Sequence, residues 1–89
     1  MVETKKSVEL NLYAPEAHRV SLVGDFNNWN KENLPANKSA RGIWKIKVNL
    51  KPGRYEYKFL VDSNWWNDPK AETQSSNPFG SQNSVITIK

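Results

Sequence analysis

The chain is expected to be an all-β antiparallel fold, a sandwich or a barrel, and three features of the sequence say so. Apolar residues recur at every second position in five separate runs. Turn-forming residues punctuate those runs about every 8–12 residues, the rhythm of short strands in two packed or closed sheets. No stretch carries the 3.6-residue period of an amphipathic helix. Its 89 residues suit one domain, taken as 1–89 with its core over about 7–89, near the size of an immunoglobulin-like sandwich.

The first strand is expected over Ser7 to Tyr13, with Val8, Leu10 and Leu12 on one face and Glu9 and Asn11 on the other. Such alternation leaves one face on a core and one in water. Ala14-Pro15-Glu16-Ala17 ends it. Arg19 to Phe26 is expected as the second strand, grouping Val20, Leu22, Gly24 and Phe26. Asn27 to Ala40 reads as a long polar connection, with room for a short helical turn around Lys31 to Leu34. Trp44, Ile46, Val48 and Leu50 then alternate with Lys45, Lys47 and Asn49. Lys51-Pro52-Gly53-Arg54 makes a tight turn, and Tyr55, Tyr57, Phe59 and Val61 alternate with Glu56, Lys58 and Leu60. Asp62-Ser63-Asn64 turns again, Asn67 to Gln82 reads as loop, and Ser84 to Lys89 closes the chain as a strand.

Composition removes several functions. There is no cysteine, so neither a disulfide framework nor thiol chemistry is open. His18 is the one histidine and stands beside Arg19 at a strand start, so a zinc site is unsupported and a surface role is expected. No pair of carboxylates recommends acid–base catalysis. Asp25 and Asp68 each sit in a turn, where a carboxylate accepts backbone N–H bonds. Asp25-x-Asn27 starts like a calcium loop, but the pattern stops there. No glycine loop could cradle a phosphate. No catalysis and no cofactor are therefore expected. The formal charge of +4 comes from dispersed lysines, which reads as a solvated surface and not as a nucleic-acid footprint. Met1 to Lys6 lack the apolar run of a signal peptide, and no run of about 20 apolar residues could span a membrane. The expected location is the cytoplasm.

The aromatics point to binding. Phe26, Trp44, Tyr55, Tyr57 and Phe59 follow the apolar face of their strands and are expected in the core. Trp29, Trp65, Trp66 and Phe79 do not, since they sit in polar turns and loops. They are either lids folded over the end of the sandwich or parts of an exposed patch, and exposed aromatic patches mark binding surfaces. Trp65 and Trp66 are adjacent and point opposite ways in extended chain, so one is expected to be buried and the other exposed. Around the loop aromatics lie Asn27, Asn28, Asn30, Asn64, Asn67, Asn77, Ser81, Gln82 and Asn83, with Lys58 on the solvent face of its strand. A sugar ring offers an apolar C–H face and a rim of hydroxyls. Indoles meet the first, and amides, hydroxyls and an ammonium meet the second.

Val23-Gly24-Asp25-Phe26-Asn27-Asn28-Trp29-Asn30, Gly42-Ile43-Trp44, Leu50-Lys51-Pro52-Gly53-Arg54-Tyr55-Glu56-Tyr57-Lys58-Phe59-Leu60-Val61-Asp62, Trp65 with Asp68-Pro69, and Asn83-Ser84-Val85-Ile86 occur in that order. This series resembles carbohydrate-binding module family forty-eight, from about Val8 to Ile88. The family includes the glycogen-binding domain of the AMP-activated protein kinase beta subunit and the N-terminal modules of branching and debranching enzymes. The resemblance implies an early-set immunoglobulin-like antiparallel β-sandwich that binds α-glucans such as glycogen, starch and malto-oligosaccharides. It implies ligand contacts from Trp29, Lys58, Trp65, Phe79, Ser81 and Asn83. Phe79 is larger than the leucine typical of the kinase-type modules. The turn after Val61-Asp62 usually holds glycine in the family. Here it is Ser63-Asn64, and Asn64 is expected to supply the left-handed residue. Trp66 is an addition to the pattern. The expected partners are an α-glucan and a linked or associated catalytic domain, with no nucleic acid and no membrane. The alternative is a sandwich kept for docking to an enzyme or kinase complex without sugar binding of its own.

Overall fold

A computed structural model of the chain describes residues 4–31, 34–78 and 80–89. Eight strands follow in order: β1 (Lys6–Tyr13), β2 (Val20–Gly24), β3 (Asn37–Lys38), β4 (Ile43–Leu50), β5 (Gly53–Val61), β6 (Asn64–Trp66), β7 (Thr73–Ser76) and β8 (Gln82–Ile88). They form two antiparallel sheets, β1-β4-β3 and β2-β5-β8-β7, with β6 paired to β5 beside the end of β8. Among the described residues no strand of one sheet pairs with a strand of the other, although Pro35 just before β3 makes an isolated bridge to Ser21 of β2, and the fold is a sandwich.

The period-two pattern did the positioning. On β4, Trp44, Ile46, Val48 and Leu50 are buried while Lys45, Lys47 and Asn49 are exposed. These meet Tyr57, Phe59, Val61 and Ile88 of the facing sheet, and Leu10, Leu12, Val20 and Leu22 complete the core. The indole N–H of Trp44 donates to the Ala14 carbonyl at 2.9 Å, so the one polar atom of this core indole is satisfied. Phe26 and Tyr55 sit at the edge of the core, half-buried, with ring centroids 6.0 Å apart.

Several local expectations change. β2 stops at Gly24, because a 3₁₀ turn over Asp25–Asn27 carries the chain across β5. A second 3₁₀ turn spans Ala40–Gly42. The helical turn considered at Lys31 to Leu34 includes residues outside those described. The segment read as loop from Asn67 to Gln82 contains β7, a polar edge strand held only by β8. The left-handed residues of the β5–β6 turn are Asp62 at φ 46° and Ser63 at φ 73°, not Asn64. With Val61 paired to Asn64, the hairpin loop has two residues. Such loops take positive φ at both central positions to match strand twist.

Asp62 also ties the end of the sandwich together. Its carboxylate accepts the backbone N–H of His18 at 2.9 Å and of Arg19 at 2.8 Å. Those bonds, Arg19's first, hold its carboxyl below the usual range. Asp68 opens a turn, as expected, with the Ala71 N–H donating to its carbonyl at 3.1 Å, and it is also a buried strut. It accepts the Tyr57 hydroxyl at 2.6 Å and the Lys70 N–H at 2.9 Å, while its own N–H donates to Ser84 Oγ. This fixes the chain that leaves β6. Burial, then the bond to Asp68, pushes the Tyr57 phenol far above its ordinary pKa.

Candidate functional site

The outward face of the five-stranded sheet carries a hollow of about 500 Å³, lined by Asp25, Trp29, Glu56, Lys58, Trp65, Asn77, Pro78, Ser81 and Asn83. Register explains why these residues converge. Glu56 and Lys58 alternate with the buried Tyr57 and Phe59, so they point away from the core. Trp65 lies opposite Leu60, on that same outward face. Two valines flank the pair by register, Val23 opposite Lys58 and Val85 opposite Glu56. Both are buried although neither belongs to the inter-sheet core, so the outward face is apolar at its base.

Trp29 is placed by strained backbone. Asn28 and Trp29 both have left-handed φ, 55° and 57°, a conformation that costs a non-glycine residue about 1 kcal/mol or more. Local bonds hold it there. Trp29 N–H donates to the Gly24 carbonyl at 2.9 Å, and Gly24 N–H donates to Asn27 Oδ1 at 3.0 Å. Such strain persists where surrounding structure over-determines it, commonly at functional sites. The Trp29 indole N–H donates to Asp25 Oδ1 at 3.0 Å, and Asp25 Oδ2 accepts the Glu56 N–H at 2.8 Å. One carboxylate thus locks the indole to β5. Gly24 makes the approach possible: a Cβ there would lie 2.5 Å from the Glu56 carbonyl oxygen and 2.7 Å from Tyr57 Cβ.

Trp29 and Trp65 stand with ring centroids 6.4 Å apart and planes inclined at 65°. Trp65 is 43% exposed, and the Lys31 ammonium lies 5.6 Å from its centroid. The expectation that one of Trp65 and Trp66 is buried is not met, for Trp66 is 41% exposed. The two do leave β6 on opposite faces. The facing sheet, however, leaves Trp66 open beside a hollow lined by the loop from Ala14 to Ala17 and by Val61, Asp62 and Asn64.

The polar half of the hollow is one connected network. Lys58 Nζ donates to Ser81 Oγ at 3.0 Å, and Asn77 Nδ2 donates to the same oxygen at 2.8 Å and to Asn83 Oδ1 at 3.1 Å. Asn83 Nδ2 donates to Glu56 Oε1 at 3.1 Å, and Glu56 Oε2 accepts from Arg54 at 2.9 Å. The bond from Arg54, then that from Asn83, holds the Glu56 carboxyl below its usual range. Asn83 is only 9% exposed, so it acts from beneath, bridging Glu56 and Asn77.

The structure therefore brings Trp29, Lys58, Trp65, Ser81 and Asn83 around one hollow. Phe79 lies outside the described residues. Asp25, Glu56 and Pro78 were missed as site residues, and Asn77 was named only among the surrounding amides. Asp25 had a sequence signal in its place four residues before Trp29, and Asn77 in its place four residues before Ser81. Glu56 had none, since only register shows that it reaches Asn83. Among the described residues, no group of three or more His, Asp or Glu could hold a metal ion. None of their helices is long and apolar enough to cross a membrane.

Inclined indoles over an apolar sheet face, rimmed by amides, hydroxyls and an ammonium, offer the two kinds of surface that a sugar ring presents, and the family match assigns the sandwich to the carbohydrate-binding modules. The chain belongs to the Carbohydrate-binding module 48 (Isoamylase N-terminal domain) family, whose model matches residues 1–80. It is 36% identical over 77 residues to Protein FLOURY ENDOSPERM 6, chloroplastic, of Oryza sativa subsp. japonica, covering 86% of this chain and 14% of that protein. It is 40% identical over 70 residues to 5'-AMP-activated protein kinase subunit beta-1 of Sus scrofa, covering 79% of this chain and 54% of that protein. With the 1,4-alpha-glucan branching enzyme GlgB of Lactobacillus acidophilus it shares 46% identity over 50 residues, 56% of this chain and 8% of the enzyme. The chain thus spans little more than half the length of these relatives at most, and far less of two of them.

Proposed function

We propose that this module binds linear α-1,4-glucan segments, as in glycogen, starch and malto-oligosaccharides, in the hollow between Trp29 and Trp65, without catalysis. The observation that carries this reading is the 65° inclination of the two indoles. A β-1,4-glucan is a flat ribbon and would call for coplanar rings. An α-1,4-glucan curves, and successive residues turn their C–H faces toward rings set at an angle. Lys58 and Ser81 would meet the hydroxyls on the polar side, and Asn83 would hold Glu56 and Asn77 in place, with Phe79 a further proposed contact. Asp25 and Glu56 stand in the same wall as Lys58. That mixed charge suits a neutral sugar and lacks the one-sided positive surface that a nucleic-acid backbone calls for.

A branching enzyme and a kinase subunit are among the relatives, and this chain matches only part of each. By that likeness the module delivers a glucan to a linked or associated catalytic polypeptide.

Titration with maltoheptaose, followed by tryptophan emission at two salt concentrations, tests the site. The expected dissociation constant lies between about 10 µM and 1 mM, since a Kd of 1 mM corresponds to only about 4 kcal/mol and each aromatic contact contributes about 1 kcal/mol. Trp65→Ala is expected to weaken binding about 30-fold, the loss of a hot spot near 2 kcal/mol. Undiminished binding by a variant lacking both Trp29 and Trp65 indoles would refute the assignment. A steep fall of affinity with salt would point to a polyanion instead.

A further inference from the structure

β6 is three residues long and has β5 on one side only. Trp65 lies opposite Leu60 on its outward face, and Trp66 lies opposite Phe59 on its inward face. Elsewhere the inward face is closed by the other sheet, yet Trp66 stays nearly as open as Trp65. It lines a separate hollow of about 370 Å³ with Ala14, Pro15, Glu16, Val61 and Asn64. The indole N–H groups of Trp29 and Trp44 each have an acceptor. Among the described residues, those of Trp65 and Trp66 donate to none. Glu16 and Asn64 are exposed and add a carboxylate acceptor and an amide beside the ring. One indole, an amide and a carboxylate around an open hollow repeat part of the chemistry of the face behind it.

We propose that the Trp66 hollow is a second α-glucan contact, so that the module takes glucan on both sides of one edge strand. This rests on the reading given under Proposed function. The two hollows are back to back across β6, so one short oligosaccharide lying in the first does not fill the second. A branched polymer offers neighbouring chains to both. Trp66 then adds little to oligosaccharide affinity and much to polymer affinity, because the second contact forms at high effective concentration.

The Trp29→Ala/Trp65→Ala variant isolates the site, because the tryptophans left are Trp66 and the buried Trp44. Maltoheptaose is expected to give it a weak, saturable emission change that vanishes when Trp66→Ala is added. Trp66→Ala alone is expected to weaken glycogen binding about tenfold or more while leaving maltoheptaose affinity within about twofold. No emission change in the double variant, or glycogen binding at wild-type strength by Trp66→Ala, overturns the proposal. Should the double variant not fold, the indole N–H resonances of the wild type decide. Trp66 is expected to shift only at sugar concentrations above those that saturate Trp65, and a Trp66 resonance that never moves overturns it. A wild type whose Trp29 and Trp65 resonances stay still refutes the primary site, a different failure that shows in different signals.

Discussion

Replacing Gly24 by alanine separates a steric requirement from a conformational one. The new Cβ would meet the Glu56 carbonyl oxygen at 2.5 Å, Tyr57 Cβ at 2.7 Å and Tyr57 Cα at 2.9 Å. These atoms belong to the middle of β5 and cannot retreat as the tip of a flexible side chain would. The strand end at Gly24 must lift instead, and the lift lengthens the Glu56 N–H bond to Asp25 and disturbs the turn that Gly24 closes with Trp29. Overpacking costs about 1–3 kcal/mol, and a lost hydrogen bond about 1 kcal/mol. The sum is near 3 kcal/mol, against a total stability of about 5–13 kcal/mol for a chain this long. At about 4–8 °C per kcal/mol, the melting temperature should fall by roughly 12–24 °C. Gly80→Ala is the control. Gly80 has φ 81° but open space around it, so only the backbone term remains, about 1 kcal/mol. The assay is thermal unfolding by far-ultraviolet circular dichroism, paired with maltoheptaose titration of the folded protein at low temperature. A Gly24→Ala protein that melts within about 3 °C of the wild type would refute the claim that the turn must touch β5.

Ser63→Gly is expected to raise the melting temperature by a few degrees, since it relieves about 1 kcal/mol of left-handed strain at φ 73° in the β5–β6 turn; a differential scanning trace checks it. Tyr57→Phe should cost about 2 kcal/mol in urea unfolding, because it removes a 2.6 Å bond to the buried Asp68 carboxylate. For Asp62 the folded pKa lies below the unfolded one. Its bonds to His18 and Arg19 therefore stabilise the fold above the ordinary carboxylate pKa, and that stability is lost as pH falls through the lowered value. Asp62→Asn should flatten the acid limb of the stability profile relative to the wild type.

The core was legible because its strands alternate strictly. Trp44 to Leu50 and Tyr55 to Val61 show one polar and one apolar face each, and these became β4 and β5. β7 was not legible. Thr73-Gln74-Ser75-Ser76 carries no apolar face, since as an edge strand it is held by backbone bonds to β8 and buries little. The turn residue was misplaced because Asn tolerates left-handed backbone better than Ser in general, whereas pairing of Val61 with Asn64 left only Asp62 and Ser63 free to turn. Trp66 was unreadable for a similar reason, as alternation gives the direction of a side chain but not whether anything stands opposite it. Lys58 came from strand parity and Trp29 from its place in a polar turn, whereas the choice of Trp65 over Trp66 came from the family resemblance alone. Glu56 needed three-dimensional register.

The hydrogen-bond chain from Lys58 through Ser81, Asn77 and Asn83 to Glu56 is complete before any sugar arrives. A hydroxyl entering this wall exchanges one partner for another and gains little net energy. Rigid, already-satisfied walls favour quick release. With an association rate near 10⁶ M⁻¹s⁻¹ and a dissociation constant of about 100 µM, a single contact lasts about ten milliseconds. On the proposed reading, a module of this kind would visit a glucan surface in short stops, leaving chain ends free.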